Sequence, residues 1–216
     1  MTLKKTTRLV ISLCMVALSV FILCFGVWAA VVAEYKITGK VSYSVDNVNM
    51  RFQIEASISN ASSDANENVE ISNSTFSYSN ASDINKVLNS WNLGSIYFIK
   101  NYSNGGETLT VPDIVITIKV TNLSSNQPMY VKYDWQTDDD TQFDTTSTPN
   151  ANAKITLQFQ KQVNTGTLQS STENSYTDLT TLNSSVTYKL TMKLKSSVES
   201  LDPLGFAWNF NFDAIK

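Results

Sequence analysis

The segment Val186–Leu194, VTYKLTMKL, carries the clearest structural signal in this sequence. Its apolar residues fall at every second position, and Lys189 and Lys193 lie between them. Successive side chains of a β-strand point to opposite faces of a sheet. The alternation therefore predicts a strand with one face in a core and the other in water.

The same two-residue period recurs along most of the chain. It predicts further strands at Met50–Ile58, Ile114–Val120, Met129–Trp135, Ile155–Phe159 and Phe206–Phe212. Weaker strands are expected at Tyr35–Val45, Val69–Tyr78, Ser95–Ile99 and Thr108–Val111. Strands that are apolar on one face suit antiparallel sheets that pack on each other. We expect an all-β fold, a single antiparallel β-sandwich of about nine or ten strands.

Two other segments qualify this prediction. Within residues 34–216, the segment Ser82–Trp91 is the one that indicates a helix. Ser82 or Asp83 can cap a short helical turn that carries the apolar residues after them. We expect one short helix there, in a crossover. The segment 137–152 is polar enough to be a linker between two smaller domains or, as we favour, a long surface loop.

The N-terminus has the features of a targeting segment. Lys4, Lys5 and Arg8 precede 25 residues without a charge, from Leu9 to Ala33. This order predicts a secretory signal with cleavage after Ala29 or Ala33. An uncleaved membrane anchor is the alternative, because 25 apolar residues can cross a bilayer core of about 30 Å. We expect residues 1–33 to be a signal peptide or anchor and residues 34–216 to be an exported domain at the cell surface or outside the cell.

Composition excludes several classes of function. The chain has no histidine, and its two cysteines, Cys14 and Cys24, lie in the apolar segment. A Ser-His-Asp triad, a His-based metal site and a disulfide framework are therefore excluded. Residues 34–216 keep all 19 acids and 13 of the 16 basic residues, a net charge of −6. We expect no nucleic-acid binding and no enzymatic activity.

The middle of the chain resembles a known family. Residues 105–135, GGETLTVPDIVITIKVTNLSSNQPMYVKYDW, give a strand of alternating Ile, Val and Thr, an Asn-containing turn and a Tyr-Val-Lys strand. This pattern resembles the TasA/camelysin-like exported proteins, over about residues 9–135. The resemblance implies a jelly-roll sandwich and assembly into extracellular matrix fibres or pilus-like threads by donation of a strand. The protease activity described for camelysins is not expected, because this chain has no histidine.

These observations favour a self-associating structural protein of the cell surface. The first exported strand, about 35–45, follows the signal directly and is free to fill a sheet edge of a neighbour. Its candidate anchors are Ile37, Val41, Tyr43 and Val45. Such a contact does not close and builds filaments. If the anchor is retained, the chain is instead a monomer tethered to the membrane through residues 9–33.

A surface binding module for glycan or a partner protein is the alternative function. The aromatic residues that would form a sugar-binding face are Tyr97, Phe98, Tyr102, Tyr130, Tyr133 and Trp135, although core packing is the more common use of such side chains. A phage or surface-layer component is a further structural alternative.

Two other groups of residues are candidate sites. Five acids lie within eleven residues, and clustered carboxylates suit Ca²⁺; a solvated acidic loop is the alternative. They are Asp134, Asp138, Asp139, Asp140 and Asp144. No other cofactor is expected. Six Asn-x-Ser/Thr triplets are candidates for N-glycosylation. They are Asn60, Asn73, Asn80, Asn101, Asn122 and Asn183.

Overall fold

The computed structural model describes residues 32–45, 50–60, 69–71, 75–80, 90–101, 113–146, 148–195 and 204–215. The chain divides into two units, one of Met1–Ala33 with Lys100–Leu109 and one of Glu34–Ile99 with Thr110–Lys216. Only residues 32–33 and 100–101 of the first unit are described, and they are the ends of two strands. Most of the predicted signal or anchor, residues 1–31, lies outside the described residues.

Strands account for most of the described chain. They are β1 Val32–Val45, β2 Phe52–Asn60, β3 Val69–Ile71, β4 Thr75–Ser79, β5 Ser90–Asn101, β6 Ile114–Asn122, β7 Met129–Thr137, β8 Phe143–Thr145, β9 Ile155–Val163, β10 Gln169–Ser170, β11 Thr177–Leu179, β12 Ser185–Leu194 and β13 Leu204–Asp213. A single turn of 3-10 helix, Asp140–Gln142, precedes β8. Within the described ranges, we find no helix long and apolar enough to span a bilayer.

The strands form two sheets. Sheet I has the order β11-β7-β13-β1-β5-β3, and sheet II has the order β10-β9-β12-β6-β2-β4 with β8 also paired to β9. Aromatic rings join the two sheets: the Phe52 and Phe212 centroids are 5.0 Å apart, and those of Tyr188 and Phe210 are 5.2 Å apart. The predicted all-β sandwich is confirmed.

The strongest sequence pattern occupies the centre of sheet II. Strand β12 pairs antiparallel with β6 on one side and with β9 on the other. The alternate residues Val186, Tyr188, Leu190 and Met192 are each at most 1% exposed. The alternation of residues 186–194 is therefore the inner and outer face of a central strand.

Some features differ from the sequence prediction. Val69–Tyr78 is not one strand but two, β3 in sheet I and β4 in sheet II. Trp91 lies in β5 rather than at the end of a helix. Residues 82–89 of the predicted helix lie outside the described residues, as does the predicted strand Thr108–Val111. Strands β8, β10 and β11 have two or three residues, too few to show a period.

The pairing is also not wholly antiparallel. β1 runs parallel to β13, and β8 runs parallel to β9. A two-residue period places side chains on a face but does not give the direction of a neighbouring strand. The predicted antiparallel sandwich is confirmed for most strand pairs, and these two pairs are the parallel exceptions.

The segment 137–152 is a surface loop that sends residues into the core. Phe143 is 3% exposed and packs near Phe206, with ring centroids 6.4 Å apart. The strands on both sides of the segment belong to the same unit of the chain. The segment therefore joins strands of one unit, and part of it packs into the core.

A buried asparagine fixes the connection from β6 to β7. Asn122 is 1% exposed, and its Nδ2 donates to the backbone oxygens of Gln127 at 3.1 Å and Leu179 at 2.7 Å. Its Oδ1 accepts from the Ser124 backbone N–H at 2.8 Å. One side chain thus ties the turn after β6 to strand β11.

Replacing this asparagine should destabilise the domain. In the Asn122→Ala variant, two carbonyls and one N–H lose their partners, and we expect a loss of about 2–3 kcal/mol in the free energy of unfolding. Asn126→Ala, in the exposed part of the same turn, is the matched control and should change it by less than about 0.5 kcal/mol. Denaturant unfolding measures both. Equal stabilities of the two variants would contradict this role.

Candidate functional site

Strand β1 lies inside sheet I, although it is the first strand of the described residues. It pairs parallel to β13 from Ile37 opposite Leu204 to Val45 opposite Phe212, and β5 lies on its other side. Neither neighbour in the sheet is its neighbour in sequence. No hairpin turn therefore holds β1 in place, and its position depends on backbone pairing and on the core.

The middle of β1 is anchored by buried side chains. Val41 is fully buried and Tyr43 is 4% exposed. The Tyr43 ring stacks near Phe210 and Phe212 at 6.0 Å and near Phe76 of sheet II at 6.3 Å. Burial raises the pKa of Tyr43, so its hydroxyl stays protonated. Two predicted anchors, Val41 and Tyr43, are thus core residues of the chain's own sheet. The other two, Ile37 and Val45, are described by their backbone pairing with β13.

A groove opens beside the edge of sheet II. Strand β8 covers the edge of β9 up to Leu157, whose oxygen accepts from the Thr146 backbone N–H at 3.3 Å. Strand β10 covers the same edge of β9 from Gln160 onward, and the Phe159 backbone oxygen accepts from the Ser171 N–H at 3.0 Å. The groove has a volume of about 610 Å³ and lies where these short strands meet.

Aromatic and hydroxyl side chains line this groove. Trp135, at the end of β7, stacks on Phe159 with ring centroids 6.0 Å apart. Phe159 in turn packs on Tyr133 at 5.4 Å and Trp208 at 5.8 Å, so the groove rests on the core. The polar lining includes Thr145, Thr148, Gln158, Ser171, Thr172 and Glu173.

An ion pair holds the loop that forms one wall of the groove. Lys195 Nζ donates to Asp144 Oδ2 at 2.7 Å and to the Asn150 oxygen at 2.8 Å. The same carboxylate oxygen accepts from the Asn150 N–H at 3.1 Å. Burial by itself would raise the pKa of Asp144, but the hydrogen bonds from Lys195, Thr156 and Asn150 outweigh it and keep that pKa below its usual value.

Three of the other four acids of the predicted calcium site have separate hydrogen-bond partners. Asp134 accepts from Asn209 Nδ2 at 2.7 Å, and Asp140 accepts from the Thr137 hydroxyl at 2.7 Å. Asp139 caps the 3-10 turn, where hydrogen bonds from Thr141 lower its pKa.

Asp138, the fourth of these acids, lies against Gly205, where a Cβ would clash with its carboxylate. Across the described ranges, no group of three His, Cys, Asp or Glu side chains is placed to hold a metal. The calcium site stays a prediction.

Two of the six candidate glycosylation sites are internal. Asn80 is 3% exposed, and its amide exchanges hydrogen bonds with the Phe52 N–H and the Met50 oxygen. Asn122 uses both Nδ2 protons as described above. A glycan on either nitrogen would displace these bonds. Asn183 is exposed, Asn60 and Asn101 end strands, and Asn73 lies outside the described residues. Glycosylation itself stays a prediction.

Of the aromatic residues predicted to form a sugar-binding face, the structure places Trp135 at the groove. Trp135 lines the groove, but Tyr133 is 1% exposed and belongs to the core. Tyr130 instead packs on Tyr176, and Tyr102 lies outside the described residues. For Tyr97 and Phe98 the structure gives their place in β5. The sequence did not indicate Phe159, Gln158 and Ser171 as groove residues, because an alternating strand pattern does not show which part of a sheet edge is left uncovered.

Comparison with known proteins leaves the family open. No protein-family model and no curated protein matches the chain, so the resemblance to TasA/camelysin-like proteins stays a prediction. Among solved structures, the major pilin protein (T3.2) of Streptococcus pyogenes is 11% identical, with 83% of this chain and 45% of that chain covered and a TM-score of 0.17. This chain thus spans less than half of that pilin.

Two further solved structures have similarly low scores. The major pilin protein (T-13) of the same organism is 11% identical, with 84% and 97% covered and a TM-score of 0.18. The yeast delta-COP-I mu-homology domain is 5% identical, with 85% and 96% covered and a TM-score of 0.15. Such scores do not establish a shared fold or function.

The Asp144–Lys195 pair should make stability depend on pH. Because the folded-state pKa of Asp144 is lowered, its contribution is complete above the ordinary value of 3.8 and disappears as the pH falls through the folded value. We expect Asp144→Asn to cost about 2 kcal/mol at pH 7 and progressively less below pH 3.8.

Urea unfolding between pH 2 and pH 7 tests this expectation. Asp140→Asn, an exposed acid of the same loop, is the control and should follow the unmodified chain. A constant difference between Asp144→Asn and the unmodified chain over the whole range would contradict the assignment.

Proposed function

We propose that this chain is an exported structural subunit of the cell surface that self-associates by exchanging strand β1. One observation carries the proposal: the N-terminal strand of the chain is an interior strand of sheet I and contributes buried core side chains, Val41 and Tyr43. In the structure this strand fills its own chain's sheet, so the exchange replaces an existing contact.

Exchange costs no contact energy, because the contacts are identical in both arrangements. If β1 leaves, the edges of β13 and β5 lose their ladder bonds, and Phe76 and Phe210 lose the ring of Tyr43. Exposed backbone and apolar surface of this kind are costly. The β1 strand of a second copy restores every one of these contacts, which is the physical basis of domain swapping.

The place of β1 in the chain suits this exchange. Its sheet partners are β13 and β5, whereas the next strand in sequence, β2, lies in sheet II. Withdrawal of β1 therefore leaves every hairpin of the two sheets intact. Each copy gives its own strand and receives another, and such a head-to-tail contact extends into a filament.

The signal segment is expected to control the exchange. Strand β1 begins at Val32, so cleavage after Ala29 leaves it whole, whereas cleavage after Ala33 removes its first two residues. A retained anchor in residues 9–33 would keep the strand beside the membrane and the chain monomeric. We therefore propose that cleavage precedes assembly.

A reversible cross-link tests the strand exchange. Ser44 and Asn211 are opposite each other in the β1–β13 ladder and lie outside the buried faces of their strands. In the Ser44→Cys, Asn211→Cys double variant, the disulfide formed under oxidising conditions should hold β1 in its own chain and abolish filaments. Reduction should restore them, as seen by electron microscopy of cell surfaces and of the purified chain.

The two single-cysteine variants are the controls and should form filaments in both redox states. Filaments that persist when the intrachain disulfide is complete, as measured by mass spectrometry, would show that β1 is not the exchanged element. A sharp monomer at high concentration without any cross-link would reject self-association itself.

A further inference from the structure

The groove beside β9 has no part in strand exchange. It lies between the end of β7 and the uncovered stretch of the β9 edge, whereas β1 pairs with β13 and β5. Its volume of about 610 Å³ falls in the range of small-molecule and oligomer sites, about 300–1,000 Å³.

The lining has hydrogen-bonding groups but almost no charge. Besides Thr145, the lining includes five threonine and serine residues and the Gln158 amide. Its one acidic residue is Glu173, and none of the described lining residues is basic. A phosphate, a sulfate or another anion would meet no cation here. Neutral groups that both donate and accept hydrogen bonds, such as sugar hydroxyls, fit this lining.

An aromatic side chain is fixed at the mouth of the groove. Trp135 is partly exposed, and its stacking on Phe159, 28° between the ring planes, holds it in place. The apolar C–H face of a sugar ring packs on such a preordered aromatic surface, which loses little conformational entropy on binding. Thr145, Thr146 and Thr148, in the loop anchored by Asp144 and Lys195, form the opposite wall.

The Ser171 hydroxyl lies buried beside the Tyr133 hydroxyl. A hydrogen bond between the two side chains opposes the rise that burial gives the pKa of Tyr133. Because a hydroxyl both donates and accepts, Ser171 keeps hydrogen-bonding capacity for a ligand. The atom lies next to the Ser171 N–H that closes the end of β10 on Phe159, at the floor of the groove.

We propose that this groove binds a neutral carbohydrate chain, with a sugar ring stacked on Trp135 and its hydroxyls bound by Gln158, Ser171 and the threonine wall. A carbohydrate is favoured over an extended apolar peptide because hydroxyl and amide groups predominate in the lining. The inference does not depend on strand exchange, since no groove residue belongs to β1, β5 or β13.

Calorimetric titration of the full chain tests the proposal. The chain is held in a zwitterionic detergent, which carries no sugar, and titrated with neutral oligosaccharides of glucose, mannose, galactose, xylose and N-acetylglucosamine. A polygalacturonate oligomer and a peptide of residues 34–45 are the competing ligands. We expect at least one neutral oligosaccharide to bind and the two competing ligands not to bind.

Variants of the groove assign the binding to it. We expect Trp135→Ala to weaken binding about tenfold or more, Trp135→Phe to retain part of the affinity, and Ser171→Ala to weaken it by a smaller factor. Tyr130→Ala removes an aromatic ring from the same strand outside the groove and should bind as the unmodified chain does. Circular dichroism confirms folding of each variant, and Ser171→Ala decides the matter if Trp135→Ala does not fold.

Three outcomes would overturn the proposal. They are the absence of binding to every neutral oligosaccharide, equal affinity of the unmodified chain and the folded groove variants, and binding of the peptide rather than a sugar. The first leaves strand exchange untouched, because that is measured by filament formation.

Discussion

The row of aromatic side chains on the inner face of β13 is the contact on which the rest of the structure depends. Phe206, Trp208, Phe210 and Phe212 alternate along this strand and are each at most 3% exposed. β13 lies between β7 and β1, so the row contacts rings from both neighbours and from sheet II. Ring pairs of this kind contribute about 0.5–1.5 kcal/mol each beyond area burial. The chain has no cysteine after residue 33, so this packing, and not disulfides, holds the described sheets together.

The strand proposed to exchange and the groove proposed to bind a carbohydrate lie on opposite sides of the same row. On one side, β1 pairs with β13 and places Tyr43 against Phe210 and Phe212. On the other side, β7 pairs with β13 and presents Trp135 at its end, supported through Phe159 by Trp208. Strand β1, held by sheet pairing and packing, is the element that we propose to be exchanged. A tryptophan supported by a rigid core is suited to bind a ligand without reorganisation.

Several polar residues stabilise the fold by hydrogen bonding, although composition indicated only that such residues face water. Asn122 and Asn80 bond backbone groups at the ends of strands, and Asp144 with Lys195 holds a loop that has little apolar content. Each satisfies backbone groups that burial would otherwise leave unpaired. The triplets that read as glycosylation signals at Asn80 and Asn122 are thus also structural positions, a distinction that depends on burial and not on the triplet.

The amino-acid sequence was enough to predict the all-β class and the long strands, because the two-residue period reports directly which residues face a core. Its composition excluded histidine and disulfide chemistry. The tertiary structure was needed to show that β1 lies parallel to β13, and that Tyr133 is a core residue while Trp135 borders a groove. These facts depend on pairing between segments far apart in the chain, as in Tyr43 opposite Phe210, and a local period contains no information about them.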